Sequence, residues 1–389
     1  MTLLNPYTPG AGTRPMLLAG RATQTALLRN LADQVEAGRT GNPIIYIGLR
    51  GMGKTSLLYA ARDLFRERGW LAGYFEVRRN VEPGVAVQSI IADSAQLSTG
   101  KLRAALAAGG HRIGGMKLTL SPAGFSFEVD ADKRTATPGA DPFPALVAFL
   151  RALGADARAN GVGVALLIDE LQLFRKRDLA VLIQALSALE DEPIVLIGAG
   201  LPGLPADMAK ANTYAERFRF ENIGPLNDPD AKEAVVGPAF GQGILWDARA
   251  VEALIATSQG YPYFLQLYAS EAWIAADGAP TITPKHLQTS ADAAQRQLNV
   301  GLYAARYDRL SDREREYVDA LATLMFPHGG RVGSGAVAQK LGKALTVVAP
   351  VRDRVIKKGI VHSPAFGMLE FSVPGFASYV LARSTAADL

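Results

Sequence analysis

Residues Gly48-Leu-Arg50-Gly51-Met52-Gly53-Lys54-Thr55 fit the pattern G-x-x-x-x-G-K-[ST]. The chemistry of that pattern is phosphate binding. Glycines let successive backbone N–H groups close around phosphate oxygens, a lysine reaches the β- and γ-phosphates, and the hydroxyl of the last residue ligates Mg²⁺. The context is right for it. Ile44-Ile45-Tyr46-Ile47 reads as a buried strand, and Ser56-Leu57-Leu58 continues into a helix whose N-terminus favours anions. The candidate nucleotide contacts are therefore Gly48, Arg50, Gly51, Met52, Gly53, Lys54, Thr55 and Ser56. No N-K-x-D guanine signature occurs, which makes ATP the expected nucleotide and Mg²⁺ its counter-ion.

A second constellation completes the chemistry. Val164-Ala-Leu-Leu-Ile-Asp169-Glu170 is a buried strand ending in two carboxylates. The first can hold Mg²⁺ together with Thr55, and the second can polarise an attacking water. Lys54, Mg²⁺ and Glu170 are a minimal set for hydrolysis, because positioning and charge neutralisation dominate phosphoryl transfer. Arg217, in Tyr214-Ala-Glu-Arg217-Phe-Arg219, precedes a predicted strand and is placed to present a guanidinium to a neighbouring protomer's γ-phosphate, more so than Arg219. The competing reading is a surface arginine paired with Glu216 or Glu221.

Strands are predicted at 43–48, 70–77, 163–169, 193–198 and 218–223, alternating with helical patterns, so an α/β fold with a mostly parallel, two-sided sheet must position these groups. Residues 1–42 read as an arm and a helix from about Ala22 to Ala37, and 43–226 as the core. An insertion at about 80–141 carries a helical pattern, Val85–Ala108, and a hairpin, Lys117–Asp130, on which Phe125 and Phe127 share a face. Residues 227–299 read as a helical lid, helical throughout from 228, with Thr283-Pro284 as a cap and first turn.

Residues 300–389 differ in texture. A capping-box spacing from Ser311 to Glu314 opens one helix, Ser334–Leu341 a second and Thr346–Lys358 a third, and a hairpin follows around Pro364-Ala-Phe-Gly367. That order predicts a winged helix-turn-helix. Arg352, Arg354, Lys357 and Lys358 are its candidate phosphate contacts and Thr346 its one polar candidate for base edges. Duplex DNA is the expected partner, and protein docking is the alternative.

Bulk properties are compatible with this. The 389-residue chain is long enough for two or three domains, 49% of its residues are apolar, and a net charge of +4 permits nucleic acid without demanding it. Cysteine is absent, which excludes disulfides and thiolate metal sites, and the four histidines lie far from metal-ligand spacing. The N-terminus lacks a signal-peptide pattern and the apolar runs are too short to span a bilayer, so a cytoplasmic protein without membrane partners is expected.

With these motifs in hand, the chain resembles the AAA+/STAND group of P-loop NTPases, and looks most like the archaeal origin-recognition initiator ATPases. Leu18-Ala19-Gly20-Arg21 is similar to the family's Gly-Arg element, which implies Arg21 near adenine. Gly48–Ser56 is similar to Walker A and Ile168-Asp169-Glu170 to the Walker B end. Gly260-Tyr261-Pro262 is similar to the G-x-P element of a lid helix, which implies Pro262 at the base. There are departures. Ile197-Gly198-Ala199-Gly200 lacks the polar sensor 1 side chain, and no sensor 2 arginine occurs between Gly260 and Gly278, where Gln266 is a weak substitute. An acid also fails to follow Arg21. The resemblance implies an ATP-switched, slow ATPase that controls DNA binding and self-assembly. A STAND-type scaffold docking proteins is the alternative, and a metabolic kinase leaves the C-terminal module without a purpose.

Overall fold

Short apolar runs set the sheet. The computed structural model describes residues 4–10, 12–97, 112–113, 116–121, 124–129, 142–325 and 330–387. The chain divides into two units: Arg21–Gly48 with Lys54–Ile223, and the arm ending at Gly20 with Leu49–Gly53 and everything from Gly224 onward.

The first unit runs α1 (Ala22–Glu36), β1 (Ile44–Ile47), α2 (Lys54–Glu67), β2 (Leu71–Glu76), α3 (Pro83–Leu97), β3 (Arg112–Ile113), β4 (Met116–Ser121), β5 (Gly124–Val129), α4 (Pro142–Ala159), β6 (Val164–Asp169), α5 (Lys176–Ser187), β7 (Ile194–Gly200), α6 (Leu204–Ala211) and β8 (Arg219–Asn222). Five strands form a parallel sheet in the order β2-β6-β7-β1-β8. Every residue of β1, β6 and β7 is buried, whereas the edge strands β2 and β8 are partly exposed. This is why the central strands read as unbroken apolar runs. Ile45, Leu166, Ile168 and Leu196 pack with Leu150, Leu182 and Ile183 in one apolar core. The order matters for function: β7 lies between the strand before the glycine loop and the strand ending in Asp169.

The insertion contains the expected hairpin, β4 with β5, to which the short β3 adds. The expected helix beginning at Val85 is α3, which starts at Pro83, and the part of it beyond Leu97 lies outside the described residues.

The second unit begins with α7 (Asp228–Phe240), β9 (Leu245–Trp246), α8 (Ala248–Ser258), α9 (Pro262–Ala276), β10 (Thr281–Ile282) and α10 (Pro284–Gln297). The expectation of a wholly helical 228–299 is corrected by β9 and β10, which pair in parallel. Side chains define the helix starts: Asn227 accepts from the Asp230 N–H (2.9 Å), and Thr283 and His286 form a reciprocal capping box before Pro284. Tyr7 of the arm packs edge-on against Trp246 and Trp273 and accepts a hydrogen bond from the Trp246 indole (2.8 Å). The arm thus belongs to this unit and α1 to the other.

From α10 the helix continues through a π-wound segment, Leu298–Ala304. Then come α11 (Asp312–Met325), β11 (Val332–Gly333), α12 (Ser334–Lys340), α13 (Leu345–Lys357), β12 (Val361–His362), β13 (Met368–Phe371) and α14 (Phe376–Ala387). A small antiparallel sheet in the order β11-β13-β12 joins the three helices, which is the winged helix-turn-helix arrangement. The closing helix α14 is an addition to the sequence reading. Phe376 packs on Tyr303 and Phe371, and the Tyr303 hydroxyl donates to the Pro374 carbonyl (2.7 Å).

Candidate active site

β1 ends at Ile47 and α2 begins at Lys54, so the glycine loop delivers the chain to a helix N-terminus. Gly51 and Gly53 adopt φ of +88° and +85°, left-handed conformations that other residues take only with strain.

Within the sheet unit the chemistry converges on β6. The buried Lys54 ammonium donates to the Gly48 carbonyl (2.9 Å). Thr55 Oγ1 donates to Asp169 Oδ2 (2.6 Å), the Tyr74 hydroxyl donates to the same oxygen (3.2 Å), and the Glu170 N–H donates to Asp169 Oδ1 (2.8 Å). A hydroxyl oxygen beside a buried carboxylate is a fitting donor set for a hard cation such as Mg²⁺. Burial, reinforced by the Asp169 charge, raises the Tyr74 pKa far above the ordinary phenol value, so Tyr74 stays a donor. Glu170 itself sits in a left-handed conformation (φ 54°) and opens a 3₁₀ turn, Leu171–Leu173. Its carboxylate accepts a hydrogen bond from the Gln172 amide. Arg21 stands at the N-cap of α1 and is 8% exposed.

In the second unit, Pro262 is the first residue of α9. The Leu226 N–H donates to the Gly260 carbonyl (2.9 Å), and a Cβ on Gly260 would lie 2.1 Å from the Leu226 carbonyl oxygen, so glycine is required there. Beside Pro262, the buried Tyr261 donates its hydroxyl to the Arg50 carbonyl, and its ring closes on Gly51. Burial pushes the Tyr261 pKa up to about 12. Gln266 accepts from the Thr8 N–H (3.1 Å), a contact with the arm. Asp230 lies against Gly20, so an acid absent from the sequence after Arg21 is supplied beside Gly20 by α7.

Residues 17–197 match the family model for the AAA ATPase domain, a span that includes both phosphate motifs. That stretch is similar to AAA ATPase domains. Residues 300–380 match a second model, Domain of unknown function (DUF8462). No curated protein sequence matches significantly. Among solved structures, the Walker-type ATPase PABY2304 of Pyrococcus abyssi has a TM-score of 0.62 at 15% identity, covering 96% of this chain and 99% of that one. The Aeropyrum pernix Orc1 protein in complex with DNA has a TM-score of 0.47 at 15% identity, covering 96% of each chain. The RuvB Holliday junction branch migration motor of Thermotoga maritima has a TM-score of 0.48 at 16% identity, covering 92% of this chain and 95% of that one.

Three contacts were not legible in sequence: Tyr74 on Asp169 and Gln172 on Glu170 in the sheet unit, and Tyr261 on Arg50 and Gly51 within the second unit. Only Gln172 lay close enough to a motif to signal itself. Arg217 closes the 3₁₀ turn before β8, pairs with Glu190 rather than Glu216 or Glu221, and lies over the Tyr214 ring (5.1 Å). Arg219 pairs with Glu221 (2.7 Å).

The structure does not gather the winged-helix cations onto one face of α13. Arg354 (3.4 Å) and Lys358 (2.6 Å) both bind the buried Glu314 of α11, and Arg352 pairs with Asp353 (2.9 Å). Lys357 and Thr346 are exposed, as are Leu345, Val347 and the wing-tip Phe366. Among the described residues no helix is long and apolar enough to cross a membrane.

Proposed function

We propose that this protein hydrolyses ATP slowly as a nucleotide switch whose output is the winged helix, acting on duplex DNA. The carrying observation is that one chain joins an AAA ATPase domain, with lysine, hydroxyl and paired carboxylates in place, to a complete winged helix-turn-helix. The loop residues Gly48, Arg50, Gly51, Met52, Gly53, Lys54, Thr55 and Ser56 hold the phosphates, while Arg21 and Pro262 are assigned to the adenine. Thr55 and Asp169 would hold Mg²⁺, which would supply charge neutralisation for phosphoryl transfer. Glu170 orients a water. Its oxygen bonds to the γ-phosphorus as the bond to the bridging oxygen breaks, the electron pair stays on ADP, and the water's proton passes to the carboxylate. Self-assembly would bring Arg217 to a neighbour's nucleotide. The bare end of β7 and the arginine-free α9 favour slow turnover.

A second reading, protein docking by the winged helix, is favoured by one observation. Three of its expected phosphate contacts are held by carboxylates while Leu345, Val347 and Phe366 are exposed. ATP titration and duplex affinity measured against salt separate the readings. Lys54→Ala should lose ATP binding, and ordinary binding by that variant would remove the proposed site. Duplex affinity should fall with salt by a log–log slope of about −0.9 per phosphate contacted and differ between ATP and ADP. A duplex affinity that is absent, or unmoved by Lys357→Ala, leaves protein docking.

A further inference from the structure

The end of β7 lies between the two phosphate-handling strands, with Gly198 in register with Ile168 and Gly200 with Ile47. Gly198-Ala199-Gly200 offers no polar side chain at that strand end. The glycines are occupied differently. A Cβ at Gly198 would lie 2.4 Å from Leu171 Cδ1, and one at Gly200 would lie 2.8 Å from Gln172 Oε1. The bare strand therefore makes room for the 3₁₀ turn after Glu170 to fold back onto it.

Gln172 uses that room at both ends of its amide. Its Oε1 accepts from the Leu201 N–H (3.2 Å), just past β7, and its Nε2 donates to Glu170 Oε2. Glutamine suits the place because it offers an acceptor and a donor on one rigid plane. Anchored through its carbonyl to the backbone, the amide must present its N–H to the carboxylate. One Glu170 oxygen is thereby held in a fixed direction. Glu170 needs such support, because its left-handed backbone (φ 54°) would otherwise relax.

We propose that Gln172 is a positioning residue for ATP hydrolysis, delivering from the turn after β6 the polar group that β7 lacks and fixing the Glu170 carboxylate for its water. This rests on Glu170 being the water-orienting residue. Steady-state hydrolysis and ATP affinity should be measured for wild type, Glu170→Gln, Gln172→Ala and Gln172→Glu, with melting temperatures as a folding check. Gln172→Ala should lower kcat about tenfold to a hundredfold, the usual scale for an outer-shell partner, with KM and ATP affinity within about twofold. Gln172→Glu keeps the length of the side chain but offers no N–H to the carboxylate, so it should lose kcat in the same way. A merely structural residue would lower melting temperature and affinity together rather than kcat alone. Wild-type kcat in Gln172→Ala or Gln172→Glu, or joint loss of affinity and turnover in Gln172→Ala, overturns the inference while leaving the ATPase reading intact. Absent hydrolysis in wild type, or normal hydrolysis in Glu170→Gln, removes that reading and the inference with it.

Discussion

At Gly51 the backbone turns through φ +88°, and a Cβ there would lie 2.6 Å from the Tyr261 ring. Two costs then coincide, because the left-handed conformation penalises any side chain and the buried tyrosine leaves no space for one. Gly51→Ala should strain the loop by about 1–3 kcal/mol, seen as a lower melting temperature together with weaker ATP binding by titration. Unchanged values for both would show that the loop tolerates another backbone path. The same locality explains what could be read in advance. Lys54, Thr55, Asp169 and Glu170 announced themselves because phosphate chemistry demands those types at those spacings. Tyr74, which is 95 residues from Asp169, and Tyr261, which is 211 from Arg50, meet their partners only after folding. A tyrosine in an apolar run reads as core until its hydroxyl's target is known.

At the scale of elements, periodicity revealed whatever was buried on a regular face. Central strands appeared as continuous apolar runs, and the helices of the winged module as capped amphipathic segments. The β9–β10 bridge and α14 did not appear, since two-residue strands carry no period and the aromatic contacts of α14 to Tyr303 and Phe371 form only on folding. Cations of α13 were visible as charges, but their destination was not. Glu314 receives Arg354, Lys358 and the Ser311 N–H, which supplies the glutamate half of the expected capping box and ties α11 to α13. Burial alone would raise the Glu314 pKa, but Lys358 and the Ser311 hydrogen bonds outweigh it and the net shift is downward. A folded pKa below the unfolded one means that the stabilisation is full above the unfolded value, about 4.3, and is lost as pH falls through the folded value. Glu314→Gln should therefore be less stable than wild type at pH 7, and chemical denaturation should show the gap closing below about pH 4.3. A gap independent of pH would assign the loss to packing alone. Freed from Glu314, Arg354 and Lys358 would also be available to phosphate, so this variant probes how strongly the module withholds its charge.

For the whole molecule, the central question is what completes the site. The chain supplies lysine, hydroxyl and carboxylates, but α9 contributes no arginine. Arg217 is the residue proposed to act in trans. Its side chain is 63% exposed, beyond a 3₁₀ turn at the edge strand β8, and its partner Glu190 is itself 40% exposed. Exposed pairs of this kind are worth about 0–1 kcal/mol, so a γ-phosphate carrying more charge can outcompete Glu190 for the guanidinium. If it does, Arg217→Ala should leave ATP affinity intact and lower turnover by about a thousandfold, the scale of a guanidinium supplied in trans. Specific activity of the wild type should then rise with protein concentration, as mass action requires of a site built from two copies. Mixing Arg217→Ala with Lys54→Ala is the decisive measurement. Each variant alone should be inactive, one for want of the arginine and the other for want of nucleotide. A mixed pair contains one intact site, with nucleotide held by the Arg217→Ala protomer and the guanidinium supplied by the Lys54→Ala protomer. Recovery of turnover on mixing is expected, and its absence together with concentration-independent wild-type activity would return Arg217 to an ordinary surface pair with Glu190.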